Sequence, residues 1–122
     1  MIAFEDDRRT RAEQNVLACL LKQPALIRHC TRLAPRDFSH DLHGETYRAI
    51  ITLIAREQPV DVLCVFYRIV CARHPRAAQA QPHPHGGRHP VLGYLMTLGD
   101  LRVVAANVGY YAAIMLEGEH RA

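Results

Sequence analysis

Apolar residues recur at intervals of three and four along most of the chain, and prolines interrupt this pattern after short stretches. The clearest stripe consists of Tyr47, Ile50, Ile51 and Ile54, which would share one face of a helix. Because proline cannot continue a helix beyond its first turn, the helices must be short. The pattern predicts an all-α fold, a compact bundle of about six short helices without a β-strand.

Local signals place the ends of these helices. Thr10 and Glu13 have the spacing of a capping box, which predicts that the first helix starts at Thr10 and runs to Pro24. Asp61 is placed to cap the fourth helix, which carries Val65 and Ile69. The other predicted helices cover residues 25–33, 43–56, 91–98 and 103–116, with a turn at Gly99-Asp100.

The length of 122 residues suits one domain. We predict that this domain covers residues 11–117, after a flexible terminus at 1–10 and before a tail at 118–122. The segment from His74 to Pro90 is rich in proline, glycine, glutamine and histidine and has no apolar period. We therefore predict a mobile loop within the domain, and we expect proteases to cut it first.

The charge and the missing motifs argue against an enzyme. The formal net charge of +3 is too small to indicate nucleic-acid binding by itself. Lys22 is the only lysine, and no glycine-rich loop precedes it, so the P-loop pattern is absent. The G-x-S-x-G and H-E-x-x-H patterns are absent as well. We predict no catalytic residue and no cofactor.

Cysteine usage and the start of the chain indicate the compartment. Cys19, Cys30, Cys64 and Cys71 form no C-x-x-C pair. The start of the chain has no secretory signal pattern, and no apolar run is long enough to cross a membrane. We therefore expect a cytoplasmic protein without membrane contact, whose thiols are free and mostly buried.

Two groups of histidines invite a metal-binding interpretation, since imidazole binds zinc, copper and nickel. The first group lies in or beside the loop and consists of His74, His83, His85 and His89. It fits no zinc-finger spacing. The second group is His40 and His43 with Asp37 and Asp41, at a predicted helix start, where aspartates usually serve as caps. We predict no metal site in either group.

Arg28, Arg32 and Arg36 recur every four residues, which would place them on one exposed face of the second helix. Such a face could meet phosphates or an acidic partner, or it could simply be solvated. The chain has no glycine-containing helix-turn-helix turn, so direct reading of DNA bases is not supported.

The order of the segments resembles a known family. The stretches are AEQNVLACLLKQPALI, then LAPRDFSHDLHGETYRAIITLIAREQPVDV, then GYLMTL, and then AANVGYYAAIM. Together they resemble the N-terminal domain of the bacterial replicative DNA helicase, the DnaB family, over about residues 11–117. The positions that match its motifs include Glu13, Asp37, Phe38, Asp61, Tyr94, Asn107 and Tyr111.

Physical roles can be predicted for several of these positions. Phe38 is a lone aromatic residue in a polar turn, which predicts that it fills a space in the core. Asn107 lies among apolar neighbours in the last predicted helix. We expect its amide to be buried and hydrogen-bonded, because an unsatisfied buried amide costs about 1–3 kcal/mol.

The resemblance implies a function. In that family the domain precedes an ATPase motor, builds a collar of paired subunits around DNA, and helps to recruit primase and the helicase loader. The implied role here is a non-catalytic interaction and oligomerisation module of DNA replication. It would be a homodimer that contacts helicase, loader or primase and binds DNA weakly or indirectly. The chain would be either a free-standing relative or a fragment of a helicase. The alternative is a small DNA-binding protein that uses Arg28, Arg32 and Arg36.

Overall fold

Helix α1, Arg8–Lys22, lies at the centre of the fold. In the computed structural model, which describes residues 2–74 and 89–117, it packs against α2, Asp41–Ala55, α4, Pro90–Asp100, and α5, Val108–Leu116. Helix α3, Val62–Arg73, packs against α2 and α4. Three 3-10 turns, Pro24–His29, Pro35–Asp37 and Ala105–Asn107, complete the described residues. No strand occurs within these ranges, and the predicted all-α fold is confirmed.

The core forms where the apolar stripes meet. Val16, Leu17 and Leu20 of α1 are fully buried, as are Ile50 of α2 and Leu95 of α4. Phe38 is buried and lies 4.9 Å from the ring of Tyr47, which confirms that it fills a space in the core. These side chains join the four longer helices and α5 into one hydrophobic cluster.

The start of α1 differs from the prediction. The helix begins at Arg8, and its N-cap is Asp7, whose carboxylate accepts a hydrogen bond of 2.7 Å from the backbone N–H of Thr10. The predicted capping box is therefore wrong, because both of its side chains bind elsewhere. Ile2 and Phe4, which belong to the segment predicted to be a flexible terminus at 1–10, pack against the core.

The predicted second helix is also wrong. Residues 24–29 form a 3-10 turn, and the chain then leaves it at Cys30. The hydroxyl of Tyr47 lies 3.3 Å from the carbonyl oxygens of both Cys30 and Leu33, and it holds this segment in a non-helical path. A stretch of ten residues between two prolines is too short to form a stable helix without such tertiary support.

The ends of the later helices differ from the predicted ends by only a few residues. Asp61 caps α3 as predicted, since its carboxylate accepts a hydrogen bond of 2.8 Å from the N–H of Cys64. Helix α4 includes Pro90 and continues through Gly99 and Asp100, where we predicted a turn. Residues 75–88 of the predicted loop and the predicted tail at 118–122 lie outside the described residues.

The prediction for Asn107 is wrong. Helix α5 begins only at Val108, and Asn107 ends the 3-10 turn that precedes it. The side chain of Asn107 is exposed and makes no capping hydrogen bond. The apolar neighbours of Asn107 in the sequence do not bury it, because it lies in the turn before α5 and not within the helix that packs on α1. Tyr111, in contrast, is half-buried against the core.

Candidate functional site

The three arginines do not share a helix face. Arg28 belongs to the turn Pro24–His29, Arg32 lies in the following turn, and Arg36 belongs to the turn Pro35–Asp37. All three side chains are exposed. The spacing of four predicted one straight row, but that row requires the helix that is absent here.

The structure keeps only part of the cluster of His40, His43, Asp37 and Asp41, since the rings of His40 and His43 lie 5.2 Å apart whereas the two aspartates bind elsewhere or face solvent. The carboxylate of Asp37 accepts a hydrogen bond of 2.7 Å from the N–H of Ala34, and it therefore caps a local turn. His40 pairs through Nε2 with the hydroxyl of Thr10 at 2.9 Å. Asp41 is exposed in the first turn of α2, where a negative charge is favourable. Of the four residues, Asp37 and His43 are buried.

A buried polar network joins α1, α2 and α4. One carboxylate oxygen of Glu13 accepts hydrogen bonds from the N–H and the hydroxyl of Ser39, at 2.8 and 2.6 Å. Arg9 lies 3.3 Å from the same oxygen. The other oxygen lies 2.8 Å from Nδ1 of His43, and Nε2 of His43 lies 2.6 Å from the hydroxyl of Tyr94. Glu13 and His43 are inaccessible to solvent.

The amide of Gln14 extends the network beyond Tyr94. It donates to the hydroxyl oxygen of Tyr94 at 2.9 Å, and the two ring nitrogens of His43 lie between that hydroxyl and the carboxylate of Glu13. Every member of the network has a partner, as a buried polar group requires.

The pKa values of the network follow from this geometry. Desolvation in the core acts to raise the pKa of Glu13, but the hydrogen bonds from His43 and Ser39 outweigh it. The pKa of Glu13 therefore lies below its ordinary value. Burial raises the pKa of Tyr94, and the nearby charge of Glu13 adds to the rise. The network thus holds a carboxylate and a neutral phenol between the helices.

A carboxylate, an imidazole and a hydroxyl in line could serve acid–base chemistry, but this set is closed to solvent. The ring of Phe4 covers it, with centroids 4.3 Å from His40, 4.8 Å from His43 and 5.3 Å from Tyr94. We therefore interpret the network as a structural link between helices. No motif in the sequence predicted this link, and its one signal is a glutamate within the apolar face of α1.

The remaining histidines and the cysteines add no metal site within the described residues. His89 is the N-cap of α4, and its ring lies 5.0 Å from that of Phe66. His83 and His85 lie outside the described residues. All four cysteines are free, but only Cys19 and Cys30 are buried, and the other two are half-buried where we predicted mostly buried thiols. Burial raises the pKa of the Cys30 thiol to about 11.

Several large apolar side chains face solvent. Leu63 and Tyr67 lie one turn apart on α3 and are 67% and 50% exposed. Met96 of α4 and Tyr110 of α5 are exposed as well.

Across residues 2–74 and 89–117, no single helix could cross a membrane by its length and hydropathy. Only the pair Pro90–Asp100 and Ala105–Leu116, bent by 105°, meets both criteria when the two are counted together.

Comparisons with known proteins agree on one family. Residues 5–117 match the model of the DnaB-like helicase N terminal domain. The chain is 35% identical over 107 residues to the replicative DNA helicases DnaB of Geobacillus stearothermophilus and of Mycobacterium leprae (strain TN). Each alignment covers 87% of this chain but only 21% and 16% of the two helicases.

A solved structure supports the same relationship. The crystal structure of the N-terminal domain of DnaB helicase from Mycobacterium tuberculosis matches with a TM-score of 0.68 and 32% sequence identity. The match covers 88% of this chain and 70% of that one. The predicted resemblance is confirmed, and the chain belongs to the DnaB-like helicase N-terminal domain family.

Proposed function

We propose that the chain is a non-catalytic interaction and oligomerisation domain of DNA replication. It acts in the cytoplasm as a homodimer that contacts the replicative helicase, its loader or primase. The family match supports the replication role. The observation that carries the interaction role is the outward apolar stripe of Leu63 and Tyr67 on α3, because exposed apolar patches commonly mark protein interfaces.

The exposed stripe lies on one face of α3. Leu63 and Tyr67 are four residues apart, so their side chains stack along one face of the helix. The opposite face carries Val65, Phe66 and Ile69, which pack in the core. The helix is therefore apolar on two sides, and the fold uses only one of them. A second copy of the chain would cover the other.

Sedimentation velocity over a concentration series tests the homodimer. We expect the wild-type chain to dimerise and the double variant L63E/Y67E to remain monomeric, with an unchanged melting temperature. The matched control is M96E/Y110E, which places the same two charges on exposed apolar positions of α4 and α5. A monomeric wild type, or equal loss of dimer in both double variants, would contradict the proposal.

Direct binding identifies the partner. Purified helicase, loader and primase from the same organism are tested separately for binding to the immobilised chain. Binding of at least one of them is expected, and binding of none contradicts the proposed contacts. Hydrolysis of ATP by the purified chain would contradict the non-catalytic role.

A second candidate function is DNA binding through the exposed arginines. The observation in its favour is that Arg28, Arg32 and Arg36 all face solvent. Fluorescence anisotropy with a labelled duplex tests it. If this function is correct, affinity falls steeply with salt, and the variant R28Q/R32Q/R36Q has a shallower dependence on salt. Undetectable binding at low salt excludes it.

A further inference from the structure

A cleft of about 540 Å³ opens between the turn Pro35–Asp37 and the first two turns of α2. Arg36 and Arg48 line it, and Pro35 and Phe38 supply its apolar part. Gly44 determines its shape, because a Cβ atom added there would lie 2.9 Å from the carbonyl oxygen of Pro35. The two backbones therefore approach closely only because this residue has no side chain.

Only some of the charged side chains that line the cleft have an ion-pair or hydrogen-bond partner. Within residues 2–74 and 89–117, the exposed guanidinium groups of Arg36 and Arg48 have neither an ion pair nor a hydrogen bond. Glu45 also lines the cleft, but Arg73 binds both of its carboxylate oxygens. Asp41 remains as the only unpaired acid of the lining. Two free positive groups thus face one free negative group.

We propose that this cleft binds an acidic peptide segment of a partner protein, one in which carboxylates flank an apolar side chain. The inference rests on the proposed interaction role and names the chemistry of the partner. A guanidinium group binds a carboxylate through two parallel hydrogen bonds, and Arg36 and Arg48 are free to do so. Half-buried Pro35 provides the surface against which the apolar side chain packs.

The same features disfavour nucleic acid as the occupant. Single strands bind proteins largely by stacking bases on aromatic rings. Phe38 is only 7% exposed and its ring packs against Tyr47, so it offers no free face for a base. The carboxylate of Asp41 would repel a continuous phosphate backbone, whereas a peptide can place its carboxylates at the two arginines alone.

Fluorescence anisotropy with a fluorescein-labelled peptide, DDLDEFED, tests the inference. We expect the double variant R36Q/R48Q to weaken binding by about tenfold, as the loss of charge-assisted hydrogen bonds predicts. The matched control is R56Q/R102Q, which removes the same charge at exposed arginines away from the cleft. It should change affinity by less than about twofold. D41N removes the repelling carboxylate and should tighten binding by about threefold.

Several outcomes would overturn the inference. The first is that the peptide does not bind, or that the two double variants weaken its binding equally. The second is that a peptide in which glycine replaces the Leu and the Phe binds equally well. The third is that a 20-nucleotide oligothymidylate binds more tightly than the peptide and that R36Q/R48Q abolishes this binding. The failure of this inference is distinguishable from the failure of the proposed function. If dimerisation and capture of a replication protein persist while the peptide does not bind, only the cleft assignment is wrong.

Discussion

Glu13 is the residue on which most of the buried polar contacts converge. It receives hydrogen bonds from Ser39 and His43, which lie 26 and 30 residues away along the chain. Replacement by glutamine should destabilise the fold by about 3 kcal/mol, because an amide N–H₂ would face the donors of Ser39 or of His43. Urea unfolding measures the loss. The control E5Q lies at an exposed position and should change stability by less than about 0.5 kcal/mol.

The pH dependence of stability follows from the same residue. The pKa of Glu13 in the folded protein lies below the ordinary value of 4.5 that applies to the unfolded chain. The carboxylate therefore contributes stability above pH 4.5, and this contribution is lost as the pH falls through the folded-state pKa. The urea midpoint should be lower at pH 3.5 than at pH 6.5. The decrease should be smaller in E13Q, and an equal decrease in both proteins would refute the assignment.

At the scale of single elements, the local signals differed in how well they predicted structure. The cap of α3 is correct because its donor and acceptor are only three residues apart. The capping box at Thr10 has equally good spacing, yet the hydroxyl of Thr10 binds His40 and the carboxylate of Glu13 binds Ser39 and His43. A local hydrogen bond gives way where a distant partner in the core competes for the same atoms.

The N-cap of α3 leads to a prediction about the stability of a single helix. Asp61→Ala removes the acceptor for the N–H of Cys64 and should cost about 1 kcal/mol. Asp61→Asn keeps a capping oxygen and should remain within a few tenths of a kcal/mol of the wild type. Thermal unfolding followed by circular dichroism compares the two. Equal destabilisation would indicate that the charge of Asp61, rather than its capping hydrogen bond, stabilises α3.

The two ends of the described chain meet at the scale of the whole molecule. Arg8 at the start of α1 forms an ion pair with Glu117, which follows α5. Phe4 packs over the rings of His40, His43 and Tyr94, so the segment before α1 shields the buried network from water. Residues of the segment predicted to be a flexible terminus thus contribute to the tertiary structure.

Phe4→Ala should therefore destabilise the whole domain, by about 2 kcal/mol, because it removes three ring contacts and opens the network to solvent. The matched control is Tyr110→Ala, since Tyr110 is 61% exposed and its loss should cost less than about 0.5 kcal/mol. Urea unfolding at pH 7 measures both variants. If the two variants are equally stable, the segment before α1 does not seal the core.

The sequence by itself determined the helical class, the cap at Asp61, the core position of Phe38 and the family. These properties depend on residues within about one or two helical turns of one another, or on the order of whole segments. Only the tertiary structure decided the partners of Glu13, the exposure of Asn107 and the separation of the three arginines. Apart from Arg9 and Glu13, the partners in the buried network lie 26 to 80 residues apart in the chain. No local periodicity encodes such pairs, because packing of the helices alone brings them within hydrogen-bonding distance.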